Sequence, residues 1–396
     1  MSGGGQLTLM TVTKQLPTWT PDPDGEHGEV FTRRWVVDLI LDAVGYRVDA
    51  DLGARTLVEP SCGCGAFMVP IVERLIESSN RHDRALADLE GAVRGFDLLE
   101  NNAEHTRKAV MATLVEAGET LETAERLSAA WVTTGDFLLV DHVEGEADFV
   151  VGNPPYIRLE DLPPAVSDAY RGECATMRGR ADIFVGFFEK GLSLLAAGGR
   201  LGFICADRWM RNQYGARLRE LVAEQYAVES IVVMHDVDAF EDEVSAYPAI
   251  TVLRKAPQGP AKVVDADASF DESASRRLGP WLSSESTTAP EHGSFVATEL
   301  GGWFTGSGHW PAGSPHTLAL LADLEARFAP LENPLTRTRV GIGLATGCDE
   351  VFIVDTASQI EHDRLLPLLT AEDIASGEPN WAGRCLVNPW DDGQLV

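Results

Sequence analysis

The sequence predicts an α/β protein built on a doubly wound, mostly parallel sheet. Three observations carry that prediction. The run Thr56–Glu59 has the apolar brevity of a buried strand. It empties into the glycine-rich turn Pro60–Phe67, and the amphipathic stretch Met68–Glu77 follows. From residue 26 to 256 strand-like and helix-like segments alternate, the signature of a parallel sheet with helices on both faces. Polar residues capable of chemistry recur where the apolar runs stop, and the ends of strands are where such sheets bind ligands.

The elements follow in order. Residues 1–25 open on Ser2 and three glycines, continue polar and proline-rich, and read as a flexible tail without signal-peptide character. Phe31–Val44 predicts a helix whose Trp35, Val36, Leu39, Ile40 and Val44 share one face, a core stripe. In the turn after the first strand, Glu59, Pro60, Cys62, Gly63 and Gly65 are candidate cofactor-binding residues. Glycines let backbone approach a ligand, and the helix that follows offers free N–H donors. The spacing is neither the phosphate-gripping Gly-x-Gly-x-x-Gly nor a Walker Gly-Lys-Ser/Thr, so an uncharged amino-acid and sugar moiety suits it better than a pyrophosphate. Ala92–Asp97 predicts the second strand, with Asp97 placed to accept from both hydroxyls of a ribose. Ala130–Phe137 predicts the third, ending at Asp136 and Phe137, an acid and an aromatic suited to an adenine ring and its amine.

The run Asp148–Gly152 ends in Asn153-Pro154-Pro155-Tyr156. Two prolines fix φ and remove N–H donors, so the Asn153 amide and the Pro154 carbonyl project from a ledge that cannot relax. Two oxygens of that kind accept both hydrogens of an exocyclic amine, and Tyr156 stacks on the ring that bears it. Leu159–Arg180 is long, charged and irregular, as expected of a mobile loop. Pro257–Pro315 is rich in Ser, Gly, Pro and Asp and reads as connector or insertion.

In this order Glu59–Phe67, Asp97, Gly135–Phe137 and Asn153–Tyr156 resemble the motifs of the gamma-class DNA adenine methyltransferases. The nearest resemblance is to the modification part of type II G restriction systems and related phage-defence methylases. Gly28–Thr32 resembles the segment whose Thr, here Thr32, meets the cofactor's methionine part, with Arg33 standing where that family usually has proline. Ala239-Phe240 is similar to its second base-stacking aromatic, and Gly341–Ile353 to the entry of its target-recognition region. The resemblance implies a class I S-adenosylmethionine-dependent fold and an adenine flipped from double-stranded DNA. It implies that Asn153, Pro154 and Pro155 orient the adenine's amine while Tyr156 and Phe240 sandwich its ring. It divides the chain into a methyltransferase catalytic domain at 26–256 and a partial recognition-like region at 316–396. The family's recognition domain continues further, so a specificity subunit or a separate C-terminal recognition segment is an expected partner. An RNA-base or protein-glutamine methyltransferase, and a partner-dependent inactive subunit, are the competing readings.

Composition bounds these readings. The 396 residues hold 44% hydrophobic residues and no apolar run long enough to span a membrane as a helix, which suggests a cytoplasmic protein. Six cysteines at 62, 64, 174, 205, 348 and 385 lack zinc-ligand spacing, and no metal is expected. The net charge of -29 runs against phosphate binding. Only 5 of the 32 basic residues are Lys, and Arg208, Arg211, Arg217 and Arg219 offer a local positive strip.

Overall fold

In the computed structural model the described residues are 30–241, 247–333, 335–339, 346–356, 358–391 and 394–395. The expected N-terminal tail, Gly28-Glu29 and Gly341–Ala345 lie outside them. The chain divides into two units, Met1–Ala326 and Arg327–Val396. No helix among the described residues is long and apolar enough to cross a membrane.

The first unit is organised by one nine-stranded sheet. In chain order its elements are α1 Arg34–Val44, β1 Leu57–Glu59, α2 Met68–Arg81, β2 Val93–Asp97, α3 Glu100–Glu116, α4 Leu121–Trp131, β3 Val132–Thr134 and β4 Ala147–Gly152. There follow α5 Pro164–Glu173, α6 Phe184–Leu194, β5 Leu195–Ala206, α7 Ala216–Gln225, β6 Ala227–Val233, β7 Pro248–Arg254, β8 Ala261–Ala266, α8 Glu272–Leu282, β9 Phe295–Leu300 and α9 Pro315–Arg327. The strands lie in the order β3-β2-β1-β4-β5-β7-β6-β8-β9. From β3 to β5 every pairing is parallel, and β7 enters antiparallel between β5 and β6. The order reverses between β1 and β4, because the chain leaves β1 toward β2 and β3 before returning to β4 on the other side. A crevice opens at the carboxyl ends of strands that flank such a point.

Burial explains the strands. Leu57, Val58 and Glu59 of β1 are all buried, since helices cover both faces of the sheet. The opening helix buries Val36, Leu39, Ile40 and Val44 as expected, with Trp35 packed against Phe270. It begins at Arg34 rather than Phe31, because Phe31–Arg33 is extended and bonded elsewhere. Arg33 N–H donates to the Ala239 carbonyl (3.0 Å), and the Phe31 carbonyl accepts from Glu241 N–H (2.8 Å).

Three expectations meet different structure. Segment 159–180 contains α5, and Leu162, Val166, Tyr170 and Cys174 are all buried. Their four-residue spacing is a helical stripe hidden among charges. Segment 257–315, read as connector or insertion, supplies β8, α8 and β9 to the sheet and its cover. Lys262 of β8 tucks its ammonium against the carbonyls of Trp281 (2.6 Å) and Ser284 at the end of α8. The arginine strip does not form. Arg208 is paired with Asp182, Arg211 with Asp207 and Arg217 with Glu220. Arg219 is buried, and its guanidinium donates to the carbonyls of Trp209, Asn212, Ser307 and Gly308. Spacing placed four cations on one stretch, but each found a local acceptor before any external anion.

The second unit is small. Its larger sheet has three antiparallel strands, β10 Ile353–Asp355, β11 Leu365–Pro367 and β12 Arg384–Val387, with β12 in the centre. Asp373 accepts from Thr370 N–H, Thr370 O–H and Ala382 N–H, which fixes the turn between β11 and β12.

Candidate cofactor and methyl-transfer site

The crevice at the ends of β1, β2, β3 and β4 is a real cleft. It is lined by Thr32, Glu59, Pro60, Cys62, Gly63, Asp97, Asp136, Phe137, Asn153 and Pro155, all expected from the sequence. Gly65 lies behind the lining and shapes it. Gly63 and Gly65 have φ of 48° and 95°, in the left-handed region that favours glycine. Thr106 donates its hydroxyl to the Gly63 carbonyl (2.7 Å), and a Cβ at Gly65 would lie 3.4 Å from that same hydroxyl oxygen. Gly65→Ala should therefore cost about 1–2 kcal/mol in backbone strain. The expected result is a thermal midpoint lowered by a few degrees and weaker cofactor binding in a calorimetric titration.

Asp97 closes the turn from the other side. One carboxylate oxygen accepts Gly63 N–H (2.8 Å) and the other accepts Leu99 N–H (2.9 Å). The cradle and the candidate ribose acceptor are thus one hydrogen-bonded unit. Cys62 is buried beneath it, and burial raises its thiol well above the ordinary range, which disfavours the thiolate. Glu59 is 1% exposed, and its Oε2 has no hydrogen-bond partner. Desolvation first, and the neighbouring Asp97 second, push its carboxyl well above the usual range. A cation in the cleft would reverse that pressure.

At the far end, Asp136 accepts Leu138 N–H on one oxygen (3.0 Å) and Tyr170 O–H on the other (2.8 Å). Phe137 stacks on Phe187 with ring centres 5.5 Å apart and planes 18° from parallel. Tyr170, Ile183, Phe187, Leu98 and Leu99 also line the cleft and were not foreseen. The helical stripe of α5 was the available signal for Tyr170. The described lining holds three carboxyls, those of Glu59, Asp97 and Asp136, and no Lys, Arg or His. Such a cleft attracts a cation and repels phosphates. Its three carboxyls and the apolar wall of Phe137 and Phe187 suit a cationic ligand that carries hydrogen-bond donors and a flat ring.

Asn153 lines the same cleft. Its Nδ2 donates to the Val30 carbonyl (2.8 Å) and to Thr32 Oγ1 (3.1 Å). Both partners accept, which fixes the orientation of the amide. Oδ1 is left buried without a partner. Thr32 thus acts first as a brace for Asn153, and Ser61 O–H holds the Asn153 carbonyl (3.2 Å). Pro154 is buried in the ledge. Phe240 arrives by a two-residue bridge to Thr32. The Tyr156 and Phe240 rings lie 6.5 Å apart but at 85°, edge against face. The expected sandwich is not preformed, because a base enters between parallel faces only after one ring turns. Tyr156 also packs on Phe184, and its buried hydroxyl has no partner.

This fold is that of the class I S-adenosylmethionine-dependent methyltransferases. The Eco57I restriction-modification methylase family matches residues 75–240. The type II methyltransferase M.PaeR7I of Pseudomonas aeruginosa is 41% identical over 374 residues, 93% of this chain and 64% of its own. M.XhoI of Xanthomonas vasicola is 38% identical over 381 residues, 94% of this chain and 69% of its own. M.BstVI of Geobacillus stearothermophilus is 35% identical over 383 residues, 93% of this chain and 68% of its own. A modification subunit assigned to a type I restriction enzyme of Vibrio vulnificus shares the fold. Its TM-score is 0.50 at 14% identity, over 75% of this chain and 62% of that one. The chain belongs to the type II methyltransferases of restriction-modification systems. It spans 64% to 69% of the length of these three relatives.

Proposed function

We propose that this chain methylates the exocyclic amine of an adenine flipped out of double-stranded DNA, within a restriction-modification system. The observation that carries this reading is Asn153. Its Nδ2 is committed to Val30 and Thr32, so Oδ1 is a buried, oriented acceptor with nothing to accept. An unmade bond of this kind costs about 1–3 kcal/mol until a donor arrives. An amine hydrogen is such a donor, and the Pro154 carbonyl takes the second. Bound S-adenosylmethionine supplies the electrophilic methyl group. Thr32 and the Glu59–Gly65 turn hold its methionine end, Asp97 its ribose, and Asp136 with Phe137 its adenine.

The residues then act by placement. Oδ1 of Asn153 and the Pro154 carbonyl draw both amine hydrogens into their plane, which turns the nitrogen lone pair toward the methyl carbon. Positioning of this sort supplies much of the rate where no strong base is at hand. The amine's proton leaves to water after transfer. Tyr156 and Phe240 hold the ring once one of them has rotated, each contact being worth about 1–3 kcal/mol. We assign catalysis to 26–256 together with the strands that extend its sheet, and target recognition to 316–396 with a specificity subunit or a further C-terminal recognition segment. Action in the cytoplasm, where the cell's DNA lies, follows from that assignment.

The test is transfer of labelled methyl from S-adenosylmethionine to mixed genomic DNA, with RNA and protein fractions in parallel and nucleoside analysis of the product. N6-methyladenine in DNA supports the reading. N4-methylcytosine would keep the chemistry and overturn the base. Label in RNA or protein would overturn the DNA substrate.

A further inference from the structure

We propose that Tyr170 is a positioning residue for the adenine end of the cofactor, its hydroxyl holding Asp136 so that the carboxylate faces the cofactor's 6-amino group. The inference rests on the assignment of Asp136 above and extends it to a residue outside the family's motif set as read from the sequence.

Tyr170 reaches the cleft from α5, 34 positions beyond Asp136, and is 3% exposed. Its place on the stripe of Leu162, Val166 and Cys174 anchors the ring in the core and leaves the hydroxyl at the wall. That hydroxyl donates to Asp136 Oδ2 at 2.8 Å, while Leu138 N–H takes Oδ1. With both oxygens gripped, the carboxylate plane is fixed. Leu139 N–H adds to this grip, and acceptor capacity remains because a carboxylate accepts about four hydrogen bonds. Burial raises the Asp136 carboxyl above its ordinary range, and the bonds from Tyr170, Leu138 and Leu139 counter part of that rise. Burial and the neighbouring acid both raise the Tyr170 phenol, so it stays a donor. With the Tyr170 O–H and Leu138 N–H donors spent on it, the ionised carboxylate presents acceptors that suit a 6-amino group and oppose a 6-oxo group through oxygen–oxygen repulsion. Phe137 and Phe187 hold the ring level beside it.

Two ligands separate this role from simple packing: S-adenosylhomocysteine and its analogue with hydrogen in place of the 6-amino group. Calorimetric titration of the wild-type chain should show a preference for the amino form of about 10-fold, the scale of a hydrogen bond to a charged group. Tyr170→Phe should weaken S-adenosylhomocysteine by about 5- to 10-fold while leaving the 6-hydrogen analogue within about twofold. Asp136→Asn should lose the preference in the same way. Equal weakening of both ligands by Tyr170→Phe would reduce Tyr170 to packing and overturn the proposal, as would a preference that survives the substitution. A wild-type chain without any preference would instead overturn the assignment of Asp136 itself, and the proposal with it.

Discussion

Asn153→Ala should lower the turnover of methyl transfer by about 10²–10³-fold or more, the scale seen when one preorganised transition-state contact is removed. Affinity for S-adenosylhomocysteine should stay within a few-fold. The asymmetry follows from where the side chain points. Its Nδ2 is tied to the Val30 carbonyl and to Thr32, and Oδ1 is left buried without a partner. The proposed cofactor-binding carboxylates are anchored by other groups, Asp97 by Gly63 N–H and Leu99 N–H, and Asp136 by Leu138 N–H and Tyr170 O–H. Asn153→Asp provides a sharper contrast. It keeps an acceptor but sets an oxygen against the Val30 carbonyl, so the carboxyl must rotate or take up a proton. Its activity should fall between that of the wild type and Asn153→Ala, and should improve as pH falls. Single-turnover rates measured beside calorimetric affinities check both variants, and an Asn153→Ala chain with wild-type turnover would remove Asn153 from the reaction.

The residues that were legible in advance share a physical property: each is backbone-determined. Glycines at positive φ, prolines that remove donors, and acids at strand ends follow from local geometry, and Gly63, Asn153, Asp97 and Asp136 all line the cleft. What stayed hidden was tertiary. Tyr170 belongs to a helical stripe diluted by Asp161, Asp168, Arg171 and Glu173, and charge masked its period. Strands β8 and β9 were obscured because polar, turn-rich composition surrounds two short apolar runs, and only the edge left open by β6 gives those runs a partner. The arginines misled for a different reason. Sequence spacing shows that cations share a stretch, but not that Asp182 and Asp207 are buried beneath two of them. The crossed rings of Tyr156 and Phe240 are likewise invisible to a motif, since residue type fixes stacking capacity and packing fixes the angle.

Asp97→Asn should raise the dissociation constant for S-adenosylhomocysteine by about 10- to 150-fold, the loss of about 1.5–3 kcal/mol from a hydrogen bond to a charged group. The carboxylate accepts Gly63 N–H on one oxygen and Leu99 N–H on the other. An amide has a single oxygen, so one of those N–H groups would face an NH₂, and the turn that shapes the cleft would loosen. The substitution therefore acts twice, by weakening acceptance from the ribose hydroxyls and by relaxing the cradle. The second effect predicts a thermal midpoint lower by several degrees even without ligand. A third consequence runs through Glu59, whose carboxyl is raised first by burial and then by the Asp97 charge. Removing that charge lowers the Glu59 pKa toward its ordinary value. A folded-state pKa raised above the unfolded one gives stability that is present at low pH and lost as pH rises through the folded value. With the shift reduced, the Glu59 share of the stability lost between acid and neutral pH should shrink in Asp97→Asn, even though the variant starts lower. Thermal melts across that range, paired with titrations of S-adenosylhomocysteine, separate the two effects. Unchanged affinity would move the ribose away from Asp97, and an unchanged pH slope would uncouple Glu59 from it.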